Sequence, residues 1–164
     1  MAKICLTGDL HHMSLHTGNQ KHSDISELQT AQKFLALLEK ANVKVTFFVS
    51  GLCFEEEWSD LQPIVTHPLV EVGGHNWNCL TPELVHRVSK KLFGSYNGPP
   101  AMQRHDARRT MDIIREKTGK PTRVCRNHMY MHGPNTERVL GECGIEVCSD
   151  GTSREAMGPV WHPN

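Results

Sequence analysis

Short apolar clusters alternate along this chain with longer stretches whose apolar residues fall three and four apart. Lys3 to Asp9 is a compact apolar run ending in Thr-Gly-Asp, and Val43 to Ser50 is rich in β-branched and aromatic residues and stops at Gly51. Both predict strands, as do Val70 to Gly74, Arg123 to Arg126 and Ile145 to Cys148. Between them the spacing changes. Leu28, Ala31, Phe34, Leu35 and Leu38 mark a helix, opened by a capping-box pattern from Asp24 to Glu27. Glu55 to Val65 predicts a shorter helix with Trp58, Leu61 and Ile64 on one side and Pro63 near its end. Thr81-Pro82-Glu83 starts another, with proline in its first turn. Gln103 to Thr118 predicts a helix with Ala107, Met111 and Ile114 inward, closed by Gly119, and Asn135 to Cys143 one stopped by Gly144. Gly94 to Pro100 is the clearest loop.

Strands alternating with helices imply parallel pairing through right-handed crossovers, hence an open α/β sheet or a barrel. In both, ligands bind at the C-terminal ends of the strands. Asp9 and His11 follow the first strand, His75 and Cys79 the third, Arg126 to His128 the fourth and Asp150 the fifth, so these polar clusters share one rim. With 164 residues and no internal repeat or linker, a single domain over residues 1–164 is expected.

Composition narrows the partners. Eighteen basic residues balance eighteen acidic ones, which speaks against an electrostatic nucleic-acid or membrane partner. Arg104, Arg108, Arg109 and Arg115 read as a solvated helix face with acids interspersed. No apolar run is long enough for a membrane span, and the N-terminus has no room for a signal peptide, so a cytoplasmic location is expected. The six cysteines show no CxxC spacing; unpaired thiols in a reducing compartment are the expectation, with Cys5, Cys125 and Cys148 acting as small apolar residues in strands. Cys79 differs, because its neighbours are polar.

The segment His75-Asn76-Trp77-Asn78-Cys79 carries most of the chemistry. If the turn after the third strand is helical, positions 75 and 79 share a face and can grip one metal ion. The strand end Leu6-Thr7-Gly8-Asp9-Leu10-His11, the run Val45-Thr46-Phe47-Phe48-Val49-Ser50-Gly51, the segment Glu71 to Cys79, the motif Cys125-Arg126-Asn127-His128 and the stretch Thr136 to Gly151 follow in order from about residue 3 to residue 151. Together they resemble the polysaccharide deacetylase family, the NodB-homology domain of carbohydrate deacetylases. Its corresponding motifs are Thr-x-Asp-Asp or Asp-x-Asp at a strand end, Ala-Thr-Phe-Phe-Val-x-Gly, Glu-Ile-Gly-x-His-(Ser/Thr)-x-x-His, Phe-Arg-x-Pro, and then a helix and strand.

That resemblance implies a parallel-stranded, distorted and incomplete (β/α) barrel, with this chain as the N-terminal part of a longer domain. It implies Asp9 as general base, Arg126 pairing with Asp9, and a divalent metal, most simply zinc, held by His11, His75 and Cys79. A histidine, histidine, cysteine set replaces the family's aspartate, histidine, histidine set, and two nitrogens with one sulfur suit zinc. His128 stands where the family has proline. Tyr130 or His132 is a candidate oxyanion donor and His162 a candidate acid. His12 is expected to be solvated or hydrogen-bonded, and His16, His22, His67, His86 and His105 to lie on the surface. The implied activity is metal-dependent hydrolysis of an N-acetyl or other N-acyl amide on a carbohydrate or a related small amide. The alternative is a non-catalytic metal- or carbohydrate-binding relative on the same scaffold; a cysteine hydrolase lacks a histidine partner for Cys79 in the motif order.

Overall fold

The structure is a computed structural model and describes residues 4–12 and 21–151. His16 and His162 lie outside the described residues. Five strands, β1 (Thr7–Leu10), β2 (Val45–Val49), β3 (Val70–Gly74), β4 (Val124–Cys125) and β5 (Val147–Cys148), pair in chain order, all parallel. Consecutive order and parallel sense demand a crossover after each strand. These are supplied by α1 (Glu27–Ala41), α2 (Gly51–Glu56) with α3 (Trp58–Val65), α4 (Glu83–Phe93) with α5 (Pro100–Thr118), and α6 (Thr136–Glu142). β1 and β5 are the two edges, so the sheet is open: an incomplete (β/α) barrel of the kind expected.

Register decides where the site falls. Leu10, Val49, Gly74, Cys125 and Cys148 form one row across the sheet, so the residues that follow them, His11, Ser50, His75, Arg126 and Ser149, form the next. β2, next to the β1 edge, is the most buried strand; Val45, Phe47 and Val49 pack with Leu28, Leu35 and Leu38 of α1, Phe54 of α2 and Leu61 and Ile64 of α3. A smaller cluster of Cys125, Leu140 and Ile145 lies under β4 and β5.

Several boundaries differ from the sequence reading for local reasons. The cap of α1 is Ser26 with Gln29, whose side chains exchange bonds with each other's backbone, and not Asp24 with Glu27. Glu57 (φ −124°, ψ 28°) breaks the expected 55–65 helix into α2 and α3, closing one and opening the next. Phe34 faces solvent rather than the core, and Cys5 is exposed outside β1. On α4 the apolar residues Leu84, Val85, Val88 and Leu92 face outward while His86 and Ser89 are buried. His86 donates from Nδ1 to the Tyr96 carbonyl at 2.6 Å, which corrects its expected surface position. All six cysteines are free. Among the described residues no helix is long and apolar enough to cross a membrane.

Candidate metal centre

His11 and His75 follow strands two positions apart in the sheet, with β2 between them. Strand spacing of about 4.8 Å would keep them apart, but the intervening rim residue is Ser50, small enough for two imidazoles to meet above it. Their Nε2 atoms approach to 3.1 Å. His128, in the 3-10 turn His128–Tyr130 after β4, brings its Nδ1 to 3.4 Å from His75 Nε2. One ligand nitrogen from each of the three histidines lies within 4.8 Å of the others.

The outer nitrogens settle the tautomers. His75 Nδ1 lies 2.8 Å from the Arg126 carbonyl, which can only accept, so Nδ1 carries the hydrogen and Nε2 a lone pair. His11 Nδ1 donates to Glu27 Oε2 at 2.8 Å, which leaves its Nε2 bare as well in the neutral ring. Two lone pairs facing each other at 3.1 Å repel unless a cation or a proton stands between them. A tetrahedral ion with nitrogens at about 2.0–2.1 Å separates those nitrogens by roughly 3.3 Å, close to both observed spacings. The donor set therefore fits a divalent metal. The carboxylate on His11 and the carbonyl on His75 are the outer partners that ligating histidines characteristically have. Burial, chiefly, lowers His75 to about 4 and His128 to about 4. For His11 burial is the largest single influence and opposes the change, yet the bond to Glu27 and the charges of Glu27 and Asp9 raise it overall.

Beside the histidines lies an ion pair. Arg126 Nη1 donates to Asp9 Oδ1 at 2.8 Å, Nη2 to Thr7 Oγ1 at 2.9 Å and to Ser149 Oγ at 2.8 Å, and Nε to the Ser149 carbonyl at 3.2 Å. The guanidinium crosses the Phe48 ring at 4.4 Å on its way to Asp9. Phe48 lies flat over Gly73, where a Cβ would come within 2.5 Å of its ring. With every one of its nitrogens engaged, Arg126 holds one Asp9 oxygen and leaves Oδ2 with no bond to it.

Cys79 does not join the histidines. The turn after β3 is not helical: Asn76, Cys79 and Leu80 have φ of 54°, 45° and 59°, so the one-face argument for positions 75 and 79 fails. Cys79 Sγ meets Ser50 Oγ at 3.0 Å instead, and burial pushes its thiol up to about 11, which keeps it neutral. His128 is the member of this group that the sequence reading did not pick out. Its position at a strand end, directly after the Arg126 motif, was the available signal. Of the other candidates, Tyr130 lies 5.4 Å below the Arg126 guanidinium, His132 pairs with Glu137, and His12 with Glu56 at 2.8 Å.

The polysaccharide deacetylase family model matches residues 22–148. The chain belongs to this family. Solved structures that share its fold include a variant, with restored activity, of a carbohydrate esterase family 4 pseudoenzyme from Bacillus anthracis (19% identity, TM-score 0.64, 88% of this chain and 43% of that one). Others are a family 4 carbohydrate esterase from Streptomyces lividans with acetate (16%, 0.59, 88% and 60%) and the Bc1960 peptidoglycan N-acetylglucosamine deacetylase (19%, 0.62, 88% and 54%). The chain thus spans roughly half the length of these structures. A search of curated proteins finds no match to this sequence. Within the polysaccharide deacetylases, then, this chain presents a three-histidine group beside a half-buried arginine–aspartate pair.

Proposed function

We propose that this polysaccharide deacetylase family member hydrolyses the N-acyl amide of an acetylated amino sugar or a related small amide, using a divalent metal, zinc most simply, held by His11, His75 and His128. The observation that carries the reading is the pair of bare Nε2 atoms at 3.1 Å, each oriented by an outer partner, next to Asp9. A cation bound there supplies Lewis-acid polarisation of the amide carbonyl and of water. Asp9 accepts the proton of the attacking water at Oδ2. Arg126 keeps that carboxylate aimed at the histidines by pinning Oδ1. Amines leave poorly unless protonated, so the proton taken by Asp9 must reach the departing nitrogen, directly or through a donor. The acid expected at His162 lies outside the described residues.

The test is hydrolysis of N-acetylglucosamine oligomers by the chain incubated with zinc, against Asp9→Asn. Loss of a base typically lowers the rate about 100- to 10,000-fold; equal activity in Asp9→Asn would remove the assignment. A second reading, a metal-binding relative without catalysis, is favoured by one observation: the neutral Cys79 thiol stands where the family motif has its second histidine. Zinc binding without amide hydrolysis would select it.

A further inference from the structure

Asp106 lies on α5, a helix that contributes no member of the histidine group. Both its oxygens are taken by the turn after β3: Oδ1 accepts the Trp77 backbone N–H and Oδ2 accepts Asn76 Nδ2, each at 3.0 Å. Asn76 Nδ2 also reaches Asn127 Oδ1 at 3.3 Å, and Asn76 Oδ1 accepts the His128 backbone N–H at 2.7 Å. An amide has one donor end and one acceptor end, so a carboxylate at the donor end decides which way the group lies. Turned over, Asn76 would set its oxygen against Asp106 and its NH2 against the His128 N–H. Asn76 can stand at this junction because asparagine tolerates its left-handed φ of 54°.

We propose that Asp106 is a positioning residue: acting through Asn76, it fixes the backbone at His128 and so aims the third imidazole at the other two. The inference rests on the three-histidine reading of the metal centre and adds a residue outside it. Nothing in the sequence motifs marked this helix position. Its role follows from the relay, helix carboxylate to turn amide to the N–H of the third histidine. Burial raises the Asp106 carboxyl, and the bonds from Asn76 and Trp77 oppose that.

Asp106→Asn is nearly the same shape but offers one acceptor to two donors, so a donor meets a donor at either Asn76 or Trp77. On the metal-free chain, amide hydrogen exchange by NMR should show His128 exchanging roughly 10- to 100-fold faster in Asp106→Asn, with core amides such as Ile114 and Val49 unchanged. Zinc titration by calorimetry should show affinity reduced by roughly 10- to 100-fold. Asn76→Gly, which keeps the left-handed turn and removes the relay, should produce the same His128 effect. Adding Asp106→Asn to it should then change His128 exchange by less than about twofold, since the two act in one chain. Unchanged His128 exchange in Asp106→Asn, an undiminished effect in the Asn76→Gly background, or uniform acceleration of core amides would each overturn the proposal. Failure of the wild-type chain to bind zinc would instead overturn the metal reading, and the exchange measurements would still decide the coupling.

Discussion

At Cys79 the backbone matters more than the sulfur. Its φ of 45° and the bond to Ser50 turn the thiol away from the histidines, whereas His128 is held beside His75 with its backbone N–H bonded to Asn76. Zinc calorimetry should therefore show Cys79→Ser within about threefold of wild type and His128→Ala weaker by at least about 100-fold, since removing one of three ligands costs more than an outer partner does. The reverse order would restore the cysteine to the ligand set. The titrations have a sign as well. His75 and His128 are held near 4 against an ordinary 6.5, so the fold resists their protonation. Their contribution is complete above pH 6.5 and is lost as pH falls toward about 4. His11, raised above 6.5, is protonated in both states below that value and contributes no slope there. The drop from 6.5 to about 4 at His75 corresponds to roughly 3 kcal/mol at about 1.4 kcal/mol per unit. Urea denaturation of the metal-free chain should show stability falling between pH 6.5 and 4, and His75→Phe should flatten that slope.

Elements were legible wherever periodicity was strong, and the site was not, because it depends on torsions and on what stands between strands. All five strands and the α1, α5 and α6 helices announce themselves through spacing and stop residues. The break at Glu57 carries no glycine or proline, and the capping pair at Ser26 and Gln29 competes with an equally plausible pair two residues earlier, so neither could be read with certainty from spacing alone. Glu27, freed from capping, instead binds the His11 backbone and ring. The rim residues followed from the rule about strand ends, yet their pairing needed Ser50 to be small and the turn after β3 to leave the helical region. Gly51 couples these elements: a Cβ there would enter the Trp77 indole, while its N–H and that of Leu52 hold the Asn76 and Trp77 carbonyls. Gly51→Ala should destabilise the chain by about 1–3 kcal/mol and weaken zinc binding along with it, because the displaced turn carries His75 and Asn76. A melting temperature lowered with zinc affinity intact would show that Trp77 moves without the turn.

For the whole molecule, the three histidines come from three separate crossovers, so a bound ion ties β1, β3 and the segment after β4 together and must stabilise the folded chain against the unfolded one. Zinc at about 100 times its dissociation constant adds roughly 2.7 kcal/mol, which for a chain of this size raises the melting temperature by roughly 5–10 °C. Six cysteines and eleven histidines also let the unfolded chain bind zinc, which pulls the shift toward the lower end. Scanning calorimetry with zinc and with chelator measures it. His128→Ala should lose the shift. Asp9→Asn should keep it, because Asp9 is bonded to Arg126 and is not part of the three-histidine group. That contrast separates holding the metal from using it. A chain whose melting point rises with zinc and whose amide hydrolysis depends on Asp9 is a catalyst, and one that shows the rise without hydrolysis is a binding relative. Without any rise, the approach of His11 and His75 Nε2 to 3.1 Å would have to be bridged by a proton on His11 alone.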